Sequence, residues 1–332
     1  MRHNKLLLFC LCALLSIAAA LFSMCAGASS VGLSELFRLI SGSGTLSPAA
    51  YNILVYVRLP RVGAAYFCGA ALAVSGLLLQ VSLGNGLAAP STIGINAGAG
   101  FAVVLAGALL PLSMTTRVGA AFLGALAASL LVYALARSTG ATSKTTIVLA
   151  GVAFTSLLSA GSDAIITFFP DAVWDKTSFS IGGFSGANVD VVLSMLPVLL
   201  AGLLGAALLS PRLNLLLLGD EMAASLGLNV RLCRFLSLLC AALLAAAAVS
   251  VGGLLSFVGL LVPHGMRLVC GNDYRRLVPF SAVCGGLFLL LCDTLSRILF
   301  SPFELPVGIL LSFLGAPFFL FLLLRRKERL SL

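Results

Sequence analysis

Hydrophobic residues in this chain gather into long runs separated by short polar clusters. A helix that crosses a membrane needs about 20 mostly apolar residues. Ten runs approach that length: 6–26, 62–83, 93–112, 118–136, 146–169, 191–209, 235–251, 254–269, 277–298 and 306–324. The pattern predicts an all-α membrane protein, a bundle of about ten transmembrane helices forming one domain over 1–332. The seventh and eighth runs are short, and Gly252-Gly253 between them reads as a tight turn. The first run follows Arg2 and Lys5 and resembles a secretory signal, but its apolar stretch is long for one and further runs follow, so it reads as a span. Residues 27–60 leave room for a surface helix.

Composition supports the same class. Hydrophobic residues make up 60% of the chain and charged residues 9%, with mean hydropathy +1.14. That is far too few charges for a soluble enzyme and far too apolar for a disordered chain. The net charge of +9 would suggest nucleic acid in a soluble protein, whereas in a membrane protein it reports topology. With ten spans and the N-terminus inside, Arg38, Arg58, Arg61, Arg117, Lys176 and Arg297 fall outside and the other 14 of the 20 basic residues inside. This is the bias that cytoplasmic loops carry, so both termini are expected to be cytoplasmic. The nine cysteines lie mostly in apolar runs and form no C-x-x-C pair, so they read as small core residues.

Small residues recur within the spans: Gly63, Gly69, Ala73 and Gly76 in the second, Gly94, Gly98 and Ala102 in the third, Gly124 and Ala128 in the fourth. They let helix backbones approach closely in lipid. Other motifs fall short of chemistry. The stretch 138–145 lacks both glycines of a phosphate-binding loop, so the chain is not expected to bind ATP itself. The glycines at 94–100 open a span with no strand before them, and helix packing accounts for them better than a dinucleotide site. With only His3 and His264, no histidine metal centre is expected.

Acidic residues inside spans are costly and usually face a partner or a cavity. Ser156, Ser159 and Asp163 share one helical face. That stripe either lines a water-filled path or forms a helix–helix hydrogen-bond network. Asp293 and Arg297 are four residues apart, the spacing of an ion pair. Between the sixth and seventh spans lies a cytoplasmic element of about 212–233. In it Asp220 suits an N-cap, Glu221 suits the positive end of a helix and Gly227 suits a stop. Met222, Ala223 and Leu226 offer an apolar contact face. The element is either a plain connector or a short helix displayed for a partner protein.

Taken together the segments resemble the FecCD-type permease subunits of ABC importers for iron–siderophore complexes, haem and cobalamin. The residues that carry the resemblance begin with Arg58-Leu59-Pro60-Arg61, Gly69-Ala70-Ala71-Leu72-Ala73, Gln80 and Asn85-Gly86-Leu87-Ala88-Ala89-Pro90. They continue with Gly219-Asp220, Ala223-Ala224-Ser225-Leu226-Gly227, Phe257-Val258-Gly259-Leu260, Pro263-His264 and Arg267. The last are Asp293, Arg297, Glu304-Leu305-Pro306-Val307-Gly308 and Gly315-Ala316-Pro317-Phe318. Gly86 departs from the family, which more often has proline there.

The resemblance implies a type II importer permease fold of ten spans in the bacterial inner membrane, paired with a second permease copy or a close relative around the translocation path. Two ATPase subunits would dock on Gly219, Asp220, Glu221, Ala223, Ala224, Leu226 and Gly227, and would hold the ATP and Mg; this chain would bind no cofactor and no nucleic acid. An extracytoplasmic binding protein would deliver the chelate, its acidic residues received by Arg58, Arg61 and Arg297; interfacial anchoring to lipid phosphates is the other reading of these arginines. Transport would proceed by alternating access, with the fifth span near the dimer axis. The rival reading is an ion-coupled secondary transporter using Asp163 and Asp293. Siderophore, haem and cobalamin are not distinguished by any residue; iron–siderophore is the commonest cargo of the family.

Overall fold

Backbone polar groups in a bilayer must be satisfied within the segment, and a helix does this. The computed structural model describes residues 2–27, 32–41, 46–110, 113–138, 144–301 and 303–328, and among these there is no strand. In chain order the helices are α1 (Arg2–Cys25), α2 (Leu33–Ser41), α3 (Pro48–Asn52), α4 (Leu59–Ser82), α5 (Ile95–Leu109), α6 (Met114–Ser138), α7 (Lys144–Phe168), α8 (Val173–Ile181), α9 (Val189–Leu216), α10 (Asp220–Ser225), α11 (Val230–Gly252), α12 (Val258–Cys270), α13 (Tyr274–Ile298) and α14 (Val307–Glu328).

The ten apolar runs correspond one for one to α1, α4, α5, α6, α7, α9, α11, α12, α13 and α14. Seven of these helices are long and apolar enough to cross a membrane, and α5, α12 and the apolar part of α14 are shorter. The surface helix anticipated between the first two spans is α2, with Leu33, Phe37 and Ile40 exposed along one side. The eighth span begins after a break at 253–257, where Gly253 has φ +71 and Phe257 has φ +67. Phe257 is a left-handed residue with a full side chain, and its ring lies against Gly315 of α14, where a Cβ would collide with it.

Local chemistry sets the helix ends. Ser47 caps α3 through Ala50 N–H at 3.2 Å, Asn188 caps α9 through Val191 N–H at 2.8 Å, and Asn229 caps α11 through Leu232 N–H at 3.1 Å. Between α3 and α4 the chain winds as a π-helix over Ile53–Arg58, and Leu59 N–H reaches Leu54 O, five residues back. Pro60 follows directly and has no N–H to continue the ordinary ladder.

The core is centred on α4, 83% of whose apolar window is buried, against 17% for α1 and α7. The packing around it rests on glycine. A Cβ at Gly69 would collide with the Gly285 carbonyl of α13, and one at Gly76 with Gly259 of α12. Gly98 of α5 meets Gly124 of α6 in the same way, and Gly151 of α7 lies on the Thr92 carbonyl. These are backbone-to-backbone contacts, the role expected of small residues where burial of apolar area no longer drives helices together.

Candidate functional site

At the end that the basic residues assign to the cytoplasm, α9 gives way to Leu217-Leu218-Gly219 and the short helix α10. Gly219 occupies the N-cap position at φ +96, so Asp220 is the first helical residue and not the cap anticipated for it. Its carboxylate turns instead to Arg234 of α11, whose Nη2 donates to both oxygens at 2.7 Å. Arg234 is buried, and its Nε donates to Ser82 O at the end of α4 at 3.0 Å. Lys144, the first residue of α7, approaches the same carboxylate at 3.5 Å. Partial burial opposes the charge on Asp220, but Arg234 and then Lys144 outweigh it and hold the carboxyl below its ordinary 3.8.

Gly227 ends α10 as expected. At φ +84 it lets Leu228 N–H return to Ala223 O at 3.0 Å and its own N–H to Ala224 O at 2.9 Å, a Schellman closure. The contact face needs one correction. Ala223 is fully buried, because it lies about 100° round the helix from Met222. The exposed side carries Glu221, Met222, Ala224, Ser225 and Leu226, with Met222 56% and Leu226 55% accessible. Nearby, Asp273 caps α13 through Arg275 N–H at 3.1 Å and accepts from Asn214 Nδ2 at 2.8 Å, while Tyr274 N–H donates to Asn214 Oδ1. The Asn214 bond is the main reason the Asp273 carboxyl also lies below its ordinary value.

At the opposite end the ends of α1 and α13 meet the start of α4. The expected Asp293–Arg297 ion pair is present at 3.2 Å, and Arg61 completes it from the other side at 3.1 Å. Asp293 is fully buried and Arg61 reaches on to Glu304 at 2.7 Å. Arg297 also donates to Ala26 O at 2.9 Å and to Ser23, and Arg58 donates to Met24 O. The relative exposures of Arg58, Arg61 and Arg297 are 4%, 8% and 4%. Their guanidinium groups therefore engage this chain's own carboxylates and carbonyls, where sequence reasoning anticipated a partner's acidic residues. Of the cluster, Glu304 is the member with a half-exposed side chain.

Ser156, Ser159 and Asp163 are all exposed on one face of α7. Asp163 pairs with Lys176 of α8 at 2.6 Å, and Ser156 bonds back to Val152 O in its own helix. An open groove of about 570 Å³ lies elsewhere, lined by Asn96, Ser180, Leu254, Ser256, Ser312 and Phe313 among others, with no charged side chain among the described residues of its lining. Sequence reasoning missed it, because it is built from α5, α8, the 253–257 break and α14. Of the glycines of 94–100, Gly98 serves packing as expected, Gly94 turns into α5 at φ +78, and a Cβ at Gly100 would meet open space. The comparison of 138–145 with a phosphate loop falls largely on 139–143, outside the described residues.

Known proteins share this sequence pattern and fold. The model of the FecCD transport family matches residues 14–325. The hemin transport system permease protein HmuU of Yersinia pestis is 39% identical over 92% of this chain and 93% of its own length. The vitamin B12 import system permease protein BtuC of Vibrio vulnificus is 38% identical over 95% and 93%. A solved metal-chelate type ABC transporter, in an inward-facing conformation, superposes with a TM-score of 0.83 at 28% identity, covering 96% of this chain and 99% of that one. With nearly its whole length matched in both sequence and shape, the chain belongs to the FecCD transport family.

Proposed function

We propose that this chain is the membrane-spanning permease subunit of an ABC importer that carries a metal chelate, with an iron–siderophore complex, haem or a corrinoid as the cargo class, into the bacterial cytoplasm. The observation that carries the reading is α10. It is held at its base by Arg234 while Glu221, Met222, Ala224 and Leu226 stand exposed. A rigidly anchored short helix with an apolar outer side is suited to receive a separate ATPase, which would supply the ATP and Mg.

In this reading α10 and both termini face the cytoplasm, and a second permease copy sits across the exposed face of α7 with Ser156, Ser159 and Asp163 between the two. A binding protein meets the opposite end. There Arg58, Arg61 and Arg297 act from within, by fixing the ends of α1, α4 and α13 as one surface. The uncharged groove beside α14 suits a bulky chelate that must be released again. An ion-coupled cycle through Asp163 and Asp293 finds no support. Asp293 is locked between two arginines, and the relatives are transport and import system permeases by name.

The test is reconstitution in sealed vesicles with and without an ATPase and a binding protein, offering ferric siderophore, hemin and cobalamin in turn. Uptake is expected only with ATP and both companions. Accumulation by the isolated chain under a proton or sodium gradient overturns the reading. Glu221→Arg combined with Ala224→Glu is expected to leave the chain folded and abolish ATP-driven uptake.

A further inference from the structure

Three helices and the cytoplasmic element converge on one carboxylate, and the two cations that hold it differ in kind. Arg234 has a side chain only 5% exposed, is anchored to Ser82 O, and grips both oxygens of Asp220. It belongs to the central body of α4 and α11. Lys144 is 37% exposed, makes a looser contact at 3.5 Å, and belongs to α7, whose far face is exposed.

The route of the lysine is itself built. Its stem crosses the turn after α4 at Gly84, which sits at φ +57. A Cβ there would lie 3.0 Å from Nζ, 3.2 Å from Cδ and 3.4 Å from Cε. A side chain at 84 would be strained and would crowd the path by which Lys144 reaches Asp220. The turn is thus shaped for the lysine as well as for the backbone.

We propose that Lys144 is a positioning residue that ties α7 to the cytoplasmic element through Asp220, so that displacement of α10 by the partner ATPase is carried into α7. This rests on the reading of α10 as the ATPase dock. Arg234 joins α10 to α11, so the two are displaced together, and the exposed Lys144 contact is the one able to change its separation as α7 follows. An ammonium is a compact charge on a flexible stem, suited to a contact whose length varies, whereas the guanidinium fork suits the fixed side.

The experiment uses the complete transporter in vesicles and reads cargo moved per ATP hydrolysed, together with the amount of ATPase that co-purifies. Lys144→Glu is expected to lower the transport ratio at least five-fold with co-purification unchanged, and Lys144→Arg to keep it within two-fold of wild type. Arg137→Gln, which removes a charge from the exposed end of α6, is expected to leave the ratio unchanged. Should Lys144→Glu fail to assemble, Lys144→Gln reads the same ratio, with a smaller loss expected. A wild-type ratio in both Lys144→Glu and Lys144→Gln overturns the inference, as does an equal loss in Arg137→Gln. A wild-type complex with no ATP-dependent uptake overturns the proposed function instead, and this inference with it.

Discussion

The two ends of the bundle both carry an arginine–carboxylate cluster, and they are built to different purposes. At the Asp293 end the acid is completely enclosed and two arginines share it, while Arg61 reaches on to Glu304 and Arg297 to Ser23 and the Ala26 carbonyl. The acid and both arginines are buried and only Glu304 at the rim is half-exposed, so little water can replace a partner of Asp293 that leaves. At the Asp220 end one arginine is buried, but the acid is 43% exposed and its second cation more than a third exposed. Water can replace any partner that leaves. The contrast teaches that burial, more than the count of ion pairs, separates a fixed clamp from an adjustable joint.

The sharpest way to break that contrast is Asp293→Asn. It leaves Arg297 buried without a counter-charge and Arg61 with Glu304 alone, a loss of about 3–5 kcal/mol for a buried pair. The midpoint of thermal unfolding in detergent is expected to fall by more than for any substitution at the other end. Arg234→Gln comes next, at about 1.5–3 kcal/mol for charged hydrogen bonds, because Asp220 regains water while Ser82 O loses its donor. Equal losses in the two variants would erase the distinction between the ends.

Acid sharpens the comparison further. The Asp220 carboxyl lies below its ordinary 3.8 in the folded chain. Its contribution is therefore complete above that value and is lost as the pH falls through the lower, folded one. The stability difference between wild type and Asp220→Asn is expected to be full at neutral pH and to close as the pH drops below 3.8. Unfolding curves across that range measure it. Smallest of all should be Lys176→Gln, which opens the exposed pair with Asp163; less than about 0.5 kcal/mol is expected, by the same unfolding assay.

The sequence was most legible where physics is local. A bilayer demands continuous apolar helices, so ten runs could be read as ten helices, and the break between the seventh and eighth was visible in Gly252-Gly253. Spacing alone found the Asp293–Arg297 pair, and the positive φ of Gly227 could be anticipated from its place after an apolar turn. What escaped was non-local. Arg61 meets Asp293 across 232 positions, and nothing along the chain tells at what depth an arginine at a helix end will lie. Gly69 and Gly76 were recognisable as contact residues, but their partners, Gly285 and Gly259, were not. Helix α8 was passed over because its polar stretch Asp175-Lys176-Thr177-Ser178 carries no apolar signal. Ala223 was assigned to the wrong side of α10, since six residues are too few for periodicity to fix a face.

The contact between Gly151 and the Thr92 carbonyl divides α7 into two unequal arms. It stands seven residues from the Lys144 end and seventeen from Phe168. At 1.5 Å per residue the two arms are about 10 Å and about 25 Å long. Were α7 to pivot on that contact, the two arms would act as a lever. A small displacement at the short arm then sweeps the far end roughly two and a half times as far in the opposite direction.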